Sequence, residues 1–515
     1  MTNNAKKILK GSTLRVALLI SSIIIGLFMM PFLIGNLGDE KYGMWVLVSA
    51  VVSFYSLMDF GMAEAIQRFL IRSVHSNDSE DTKIALSTSF FLSAGVGLVT
   101  LCITFGIIFF ASSFVTEEAD ILLFQITIAL VGLKSSIQLP LFSYYGILVA
   151  NYRYDLITII QFFTMITRTV LIVLFINAGY GIIAIAGIAL VTDITGSLIV
   201  IRNAKNLIPG ITASFSYFST SKVKEYFHFA KWNYIIQITH KIRFSIDELV
   251  VGFVIGISAV THYTIASTLI SYFSSFMESA FGVFQPVFHK YHKLDQWDNL
   301  RSTFLITTEI TSFASVLVGC ILYSLGEIFI SIWIGDSYSD SFMVLLILCT
   351  SNIFYKSILP CEKIIFAIAK QKYYAKISSM EAITNMVLSL TLASYLGIYG
   401  VALGTLIPSL ISNLYLLPMY TCRQLTLPNI SFYRILFKAC LLGLITFLPM
   451  NYMVKMYGPE NLFIVALYAG LFSITYMLIC FKFVISNEAT NLILDSLPDK
   501  FLPYIRPFTR GSKGV

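Results

Sequence analysis

Two lysines stand near the middle of long apolar runs, Lys134 in the run near 121–149 and Lys356 in the run near 341–369. Neither has an acidic residue three or four positions away, the spacing at which side chains meet on one helix face. Each must therefore take its counter-charge from another helix or from a bound anion. Other apolar runs hold Asp59, Arg168, Asp193, Glu278 and Glu381. Glu362 and Lys363 lie close to the inner end of theirs, where long side chains reach polar surroundings cheaply. The stretch THKIRFSIDELVVGFVIG (239–256) adds Lys241, Arg243, Asp247 and Glu248.

The positive set, Lys134, Arg168, Lys356, Lys241 and Arg243, offers a phosphate or other anion its counter-charges, and Arg168 brings a planar two-pronged donor. The bland alternative for each is an ion pair between helices, for Lys134 with a carboxylate such as Asp193. The acidic set, Asp59, Asp193, Asp247, Glu248 and Glu278, is suited either to coupling a proton or cation or to pairing with those cations. Along one continuous helix Arg243 and Asp247 pair at i,i+4, whereas Lys241 and Glu248 need partners elsewhere. His289 and His292 have metal-ligand spacing but no third ligand nearby, so no metal site is expected. There is no phosphate-cradling loop, dinucleotide fingerprint or nucleophile elbow. No catalytic residue and no bound cofactor is expected.

The elements that position these charges are transmembrane helices. Of 515 residues, 57% are hydrophobic and 12% charged, with a mean hydropathy of +0.80. Apolar runs near the ~20 residues that cross a bilayer recur from residue 14 to residue 481, and we count fourteen. With the N-terminus inside, about 27 of the 35 Lys and Arg residues fall in inner loops and tails and 2 in outer loops. That asymmetry places both termini in the cytoplasm and accounts for much of the net charge of +7, so no nucleic-acid partner is implied. The seven cysteines have no C-x-x-C spacing and predict neither disulfides nor a metal. Trp45, Trp232 and Trp333 fall near span ends, as an interfacial belt requires.

The chain reads as doubled at a spacing of about 218 to 220 residues. Gly38, Leu139-Pro140 and Tyr180-Gly181 recur as Gly256, Leu359-Pro360 and Tyr399-Gly400, in the same order. The expected fold is all-α and polytopic, with two parallel six-helix lobes (1–205 and 206–425), two further helices (426–485) and a cytoplasmic tail (486–515). Parallel repeats of this kind suit rocking around a central cleft, which makes a transporter the leading class. Gly252 and Gly256 are expected to allow close helix packing, and Pro140 and Pro360 to kink equivalent helices.

LGDEKYGMWVLVSAVVSFYSLMDFGMAEAIQRFL (37–70), IDELVVGFVIGISAVTHYTIASTL (246–269) and IWIGDSYSDSFMVLLIL (332–348) resemble the polysaccharide flippases of the MOP superfamily, relatives of the MATE exporters. The resemblance implies export of polyprenyl-diphosphate-linked oligosaccharide (an undecaprenyl-diphosphate-type lipid) across the bacterial cytoplasmic membrane, for O-antigen or capsule. It further implies a cationic cavity, alternating access, an H+ or Na+ gradient as driving force, and polymerase and glycosyltransferases of the pathway as partners. The first span lacks the arginine cluster of the lipid II flippases, which disfavours a peptidoglycan precursor. A multidrug exporter would need net acidity at mid-membrane. A membrane polymerase or glycosyltransferase would need a larger outer domain than loops of at most roughly 15 residues provide.

Overall fold

The computed structural model describes residues 3–59, 69–74, 78–115 and 118–490, without the side chains of 1–13, 59, 113, 118–119, 227–233, 236, 244 and 283. Every described element is helical. Nine helices among the described residues are long and apolar enough to cross a membrane, ten if a pair bent by 41° counts as one span. The chain is thus the all-α polytopic membrane protein its composition requires.

Nine is fewer than fourteen partly because two of the nine hold more helix than one crossing needs. Leu14–Met58 has 45 residues and Gln371–Gln424 has 54, against the ~20 a bilayer asks for. The first is broken at Gly38 (φ 75°), the second at Gly397 (φ 58°). Left-handed backbone there favours glycine, which has no Cβ to clash. Gly256 and Gly179 also have positive φ, each 218 residues from one of these breaks.

The residues pack as two compact units, Met1–Thr261 and His262–Val515. This boundary falls later in the chain than the lobe boundary at 205 expected from the sequence. The first unit contains α1 (Asn3–Ser53), α2 (Ser79–Phe109), α3 (Glu118–Leu141), α4 (Tyr145–Ala150), α5 (Tyr154–Asn177), α6 (Gly181–Leu207), α7 (Thr220–Ser245) and α8 (Asp247–Val254). Asp78 caps α2, accepting from the backbone N–H groups of Glu80 and Asp81 at 2.9 and 3.2 Å, which satisfies two orphan donors of its first turn. Leu70, Leu86, Ile147, Leu148 and Tyr226 form a shared core in this unit. Helix α3 packs on α2 and α6, and α5 on α1 and α6, which sets the faces of α3, α5 and α6 toward one another.

Helix α9 (Ile257–Phe281) runs through the boundary, followed by α10 (Gln285–Lys293), α11 (Trp297–Trp333), α12 (Asp340–Ser357), α13 (Leu359–Ala367), α14 (Gln371–Leu410), α15 (Leu417–Gln424), α16 (Asn429–Met456) and α17 (Leu462–Ile479). Helices α16 and α17 build their core against α11 through Phe313, Val316, Leu442 and Phe472. The Tyr476 hydroxyl donates to the Phe313 carbonyl at 3.1 Å.

Both repeat-matched prolines stand at breaks. Pro140 precedes a 3-10 turn over Phe142–Tyr144, and Pro360 sits at the start of α13, which meets α12 at 41°. Two expectations need correcting. Gly256 is a turn residue with nothing within 4 Å of a Cβ built there, whereas a Cβ on Gly252 would lie 2.8 Å from Leu47 Cδ1, so only Gly252 serves close packing. Trp333 is buried beside Phe329 and is no interfacial anchor; the side chain of Trp232 lies outside the described residues.

Candidate functional site

Three candidates from separate helices meet inside the first unit. Lys134 comes from α3, Arg168 from α5 and Asp193 from α6. Lys134 Nζ lies 3.2 Å from Asp193 Oδ2, and Arg168 Nη2 donates to Asp193 Oδ1. Arg168 Nε also donates to Thr192 Oγ1 at 3.2 Å, and that hydroxyl donates in turn to the Ile188 carbonyl at 2.8 Å. Each carboxylate oxygen thus takes one cation, and the cluster carries a net charge of +1. The pairing open to Lys134 and Arg168 from the sequence is the one the fold adopts.

The cluster borders a cavity of about 240 Å³ walled by α3 to α6. Arg168 and Asp193 both line it, with Gln138, Tyr145, Gln161 and Thr164 as further polar walls. Gln161 Nε2 donates to the Tyr145 hydroxyl at 3.3 Å. A guanidinium has five N–H donors, and those beyond the two bonds above are the strongest donors on this wall. At partial burial the Coulomb attraction of such a cluster exceeds its value in water several-fold, so it discriminates by charge.

The remaining candidates are dispersed. Lys356, only 1% exposed, pairs with Glu278 in the second unit at 2.7 Å, though Glu278 itself is 57% exposed. Arg243 and Asp247 are both buried, near the end of α7 and at the start of α8, on either side of Ile246. The side chain of Asp59 lies outside the described residues. Glu362 accepts from Lys363 Nζ at 3.0 Å and from the Tyr374 hydroxyl at 3.3 Å.

One buried acid was missed by the sequence reading. Glu309 of α11 is 6% exposed and accepts from the backbone N–H of Ser486 at 3.1 Å and from its hydroxyl at 2.5 Å. The signal was available, because Glu309 lies within the apolar run near 302–325. Its partner was not legible, since it comes from beyond the last span.

A helical, multi-pass bundle with a cationic cluster beside a cavity is compatible with a membrane carrier. The chain belongs to the polysaccharide biosynthesis protein family, whose model matches residues 37–343. It is 25% identical over 409 residues to the uncharacterized membrane protein EpsK of Bacillus subtilis (strain 168), covering 78% of this chain and 80% of that one. It is 24% identical over 406 residues to the putative O-antigen transporter of Shigella flexneri, covering 76% and 92%. Among solved structures, the lipid II flippase MurJ in an inward closed conformation superposes with a TM-score of 0.69 at 17% identity, covering 92% and 99%. A multidrug resistance MATE family transporter of the MOP superfamily, inward-facing, gives 0.62 at 14% identity, covering 78% and 98%. These likenesses establish the MOP fold expected from the sequence.

Proposed function

We propose that the protein is a flippase moving polyprenyl-diphosphate-linked oligosaccharide repeat units, on an undecaprenyl-type carrier, from the inner to the outer leaflet of the bacterial cytoplasmic membrane. The observation that carries this reading is the two-cation, one-carboxylate cluster in the first unit, of which Arg168 and Asp193 line a cavity. Charges within a bilayer cost roughly 2.5 to 3.5 kcal/mol each on insertion scales and mark substrate paths. A surplus of positive charge suits a diphosphate and opposes the cationic drugs of a multidrug exporter. The family and the putative O-antigen transporter relative support a glycan substrate for O-antigen, capsule or exopolysaccharide.

The proposed topology is fourteen crossings. The helices broken at Gly38 and Gly397 cross twice each, α12 and α13 form one bent span, and α7 with α8, then α9, supply two that fall below the composition test. The two repeats alternate access, an H+ or Na+ gradient drives the cycle, no bound cofactor takes part and the chain does no covalent chemistry. Polymerase and glycosyltransferases act before and after it, and both termini are cytoplasmic.

Deleting the protein should cause lipid-linked oligosaccharide to accumulate facing the cytoplasm; surface polymer at the normal level without it would end the proposal. For the topology, cysteines placed at residues 40 and 180 should label from outside, and those at 78 and 295 only after permeabilisation. Reversed labelling would overturn the orientation.

A further inference from the structure

The Lys134–Arg168–Asp193 cluster has the form of an anion site with its own carboxylate in the seat. Two cations converge on one side chain, and each carboxylate oxygen is taken by a different cation. Without Asp193 the two positive groups would face each other in a medium where like charges repel strongly. With it, the site is held at +1 and the cations are aligned. The polar wall beyond Asp193, from Gln138, Gln161, Thr164 and Tyr145, supplies neutral donors where a second anion's remaining oxygens would fall.

The size of the cavity limits what enters. Sites for drug-sized ligands occupy roughly 300 to 1,000 Å³, and this one has about 240 Å³. It is open on one side, with room at the cluster for one compact charged group.

Resting on the flippase reading, we infer that Lys134 and Arg168 form a seat for a single anionic group, a phosphate or diphosphate, and that Asp193 is the internal counter-ion this group must displace. A diphosphate carries more charge than one carboxylate and can satisfy both cations at once, so it competes for them. Asp193 lowers the net affinity by the strength of the pairs it gives up. A carrier needs this, since a site must hold its ligand firmly enough to load and weakly enough to release. Asp193 thus sets affinity, while the two cations bind.

The test uses the full chain in phosphatidylcholine nanodiscs, titrated with farnesyl diphosphate, farnesol, inorganic pyrophosphate and glucuronate. Asp193→Asn should bind farnesyl diphosphate and pyrophosphate at least tenfold more tightly than the natural protein, with farnesol unchanged. Lys134→Gln should bind them at least tenfold more weakly. The double variant K134Q/D193N removes one charge of each sign and should bind more tightly than K134Q alone, which keeps the test valid if D193N folds poorly. The inference falls if folded D193N binds no more tightly than the natural protein, or if the double variant gains nothing over K134Q. Glucuronate binding in this order without farnesyl diphosphate binding would overturn the phosphate assignment in favour of an acidic sugar. The flippase reading fails separately: if D193N tightens diphosphate binding yet deletion leaves no inward-facing glycolipid, the seat stands and the transport proposal does not.

Discussion

Replacing Lys134 and Arg168 together with glutamine should abolish export and sharply reduce the amount of folded protein. The carboxylate of Asp193 is only 14% exposed and has both of its charged partners in these two residues. Stripping the partners from a buried ion costs about 3 to 5 kcal/mol. Residual exposure puts this case near the lower end, on the order of 3 kcal/mol. Set against a total stability of roughly 5 to 15 kcal/mol, that loss shows as a lower melting temperature in detergent and a smaller monodisperse peak. Adding Asp193→Asn to the double variant removes the orphaned charge and should return the melting temperature close to its starting value. Export should stay absent, because the triple variant has no cation to offer. The contrast separates folding from binding, and a triple variant exporting at the natural rate would remove the cluster from the substrate path.

The components of this cluster were legible in the sequence, and their meeting was not. Lys134, Arg168 and Asp193 stand out because each interrupts an apolar run, and the direction of each run gives an approximate depth in the membrane. Depth alone does not say which helix lies beside which, or which face of α5 turns toward α6. That is settled by the packing of α3 and of α5 on α6. The same limit explains Lys356. Its position within its span was clear, but its burial and its pairing with the largely exposed Glu278 depend on how α9 packs beside α12.

Span 7 shows another limit. The spacing of Arg243 and Asp247 reads as one continuous helix, whereas α7 ends at Ser245 and α8 starts at Asp247, and periodicity carries no mark of that interruption. Glu309 shows a third kind of limit. A carboxylate so far inside an apolar run needed a partner, and the partner is the backbone and hydroxyl of Ser486. A serine at the start of the tail carries no sequence signal that it will cap a buried acid.

The family-like segment around Tyr42-Gly43 gains a physical reason from the structure, and with it the second large effect: Gly43→Val should cut export at least tenfold. Gly43 is buried in α1, and a Cβ built on it would run into the main-chain carbonyl of Ile257, at the start of α9. A backbone oxygen cannot rotate away as a side chain can. One turn earlier in α1, the Asp39 carbonyl accepts from Thr261 Oγ1 at 2.7 Å. One turn later, Leu47 touches the position where Gly252 would carry a Cβ. The stretch 39–47 is therefore seated on 252–261 along about two turns, and bulk at Gly43 pries it off the middle. Overpacking at such a contact costs about 1 to 3 kcal/mol, and the branched Cβ of valine puts it at the upper end. Thr261→Val, which removes one hydrogen bond worth about 1 kcal/mol, should have a much smaller effect. Gly35→Ala is the control, since nothing lies within 4 Å of a Cβ there; it should melt and export as the natural protein does. Wild-type export and melting by G43V would mean that the two segments need not touch for the protein to work.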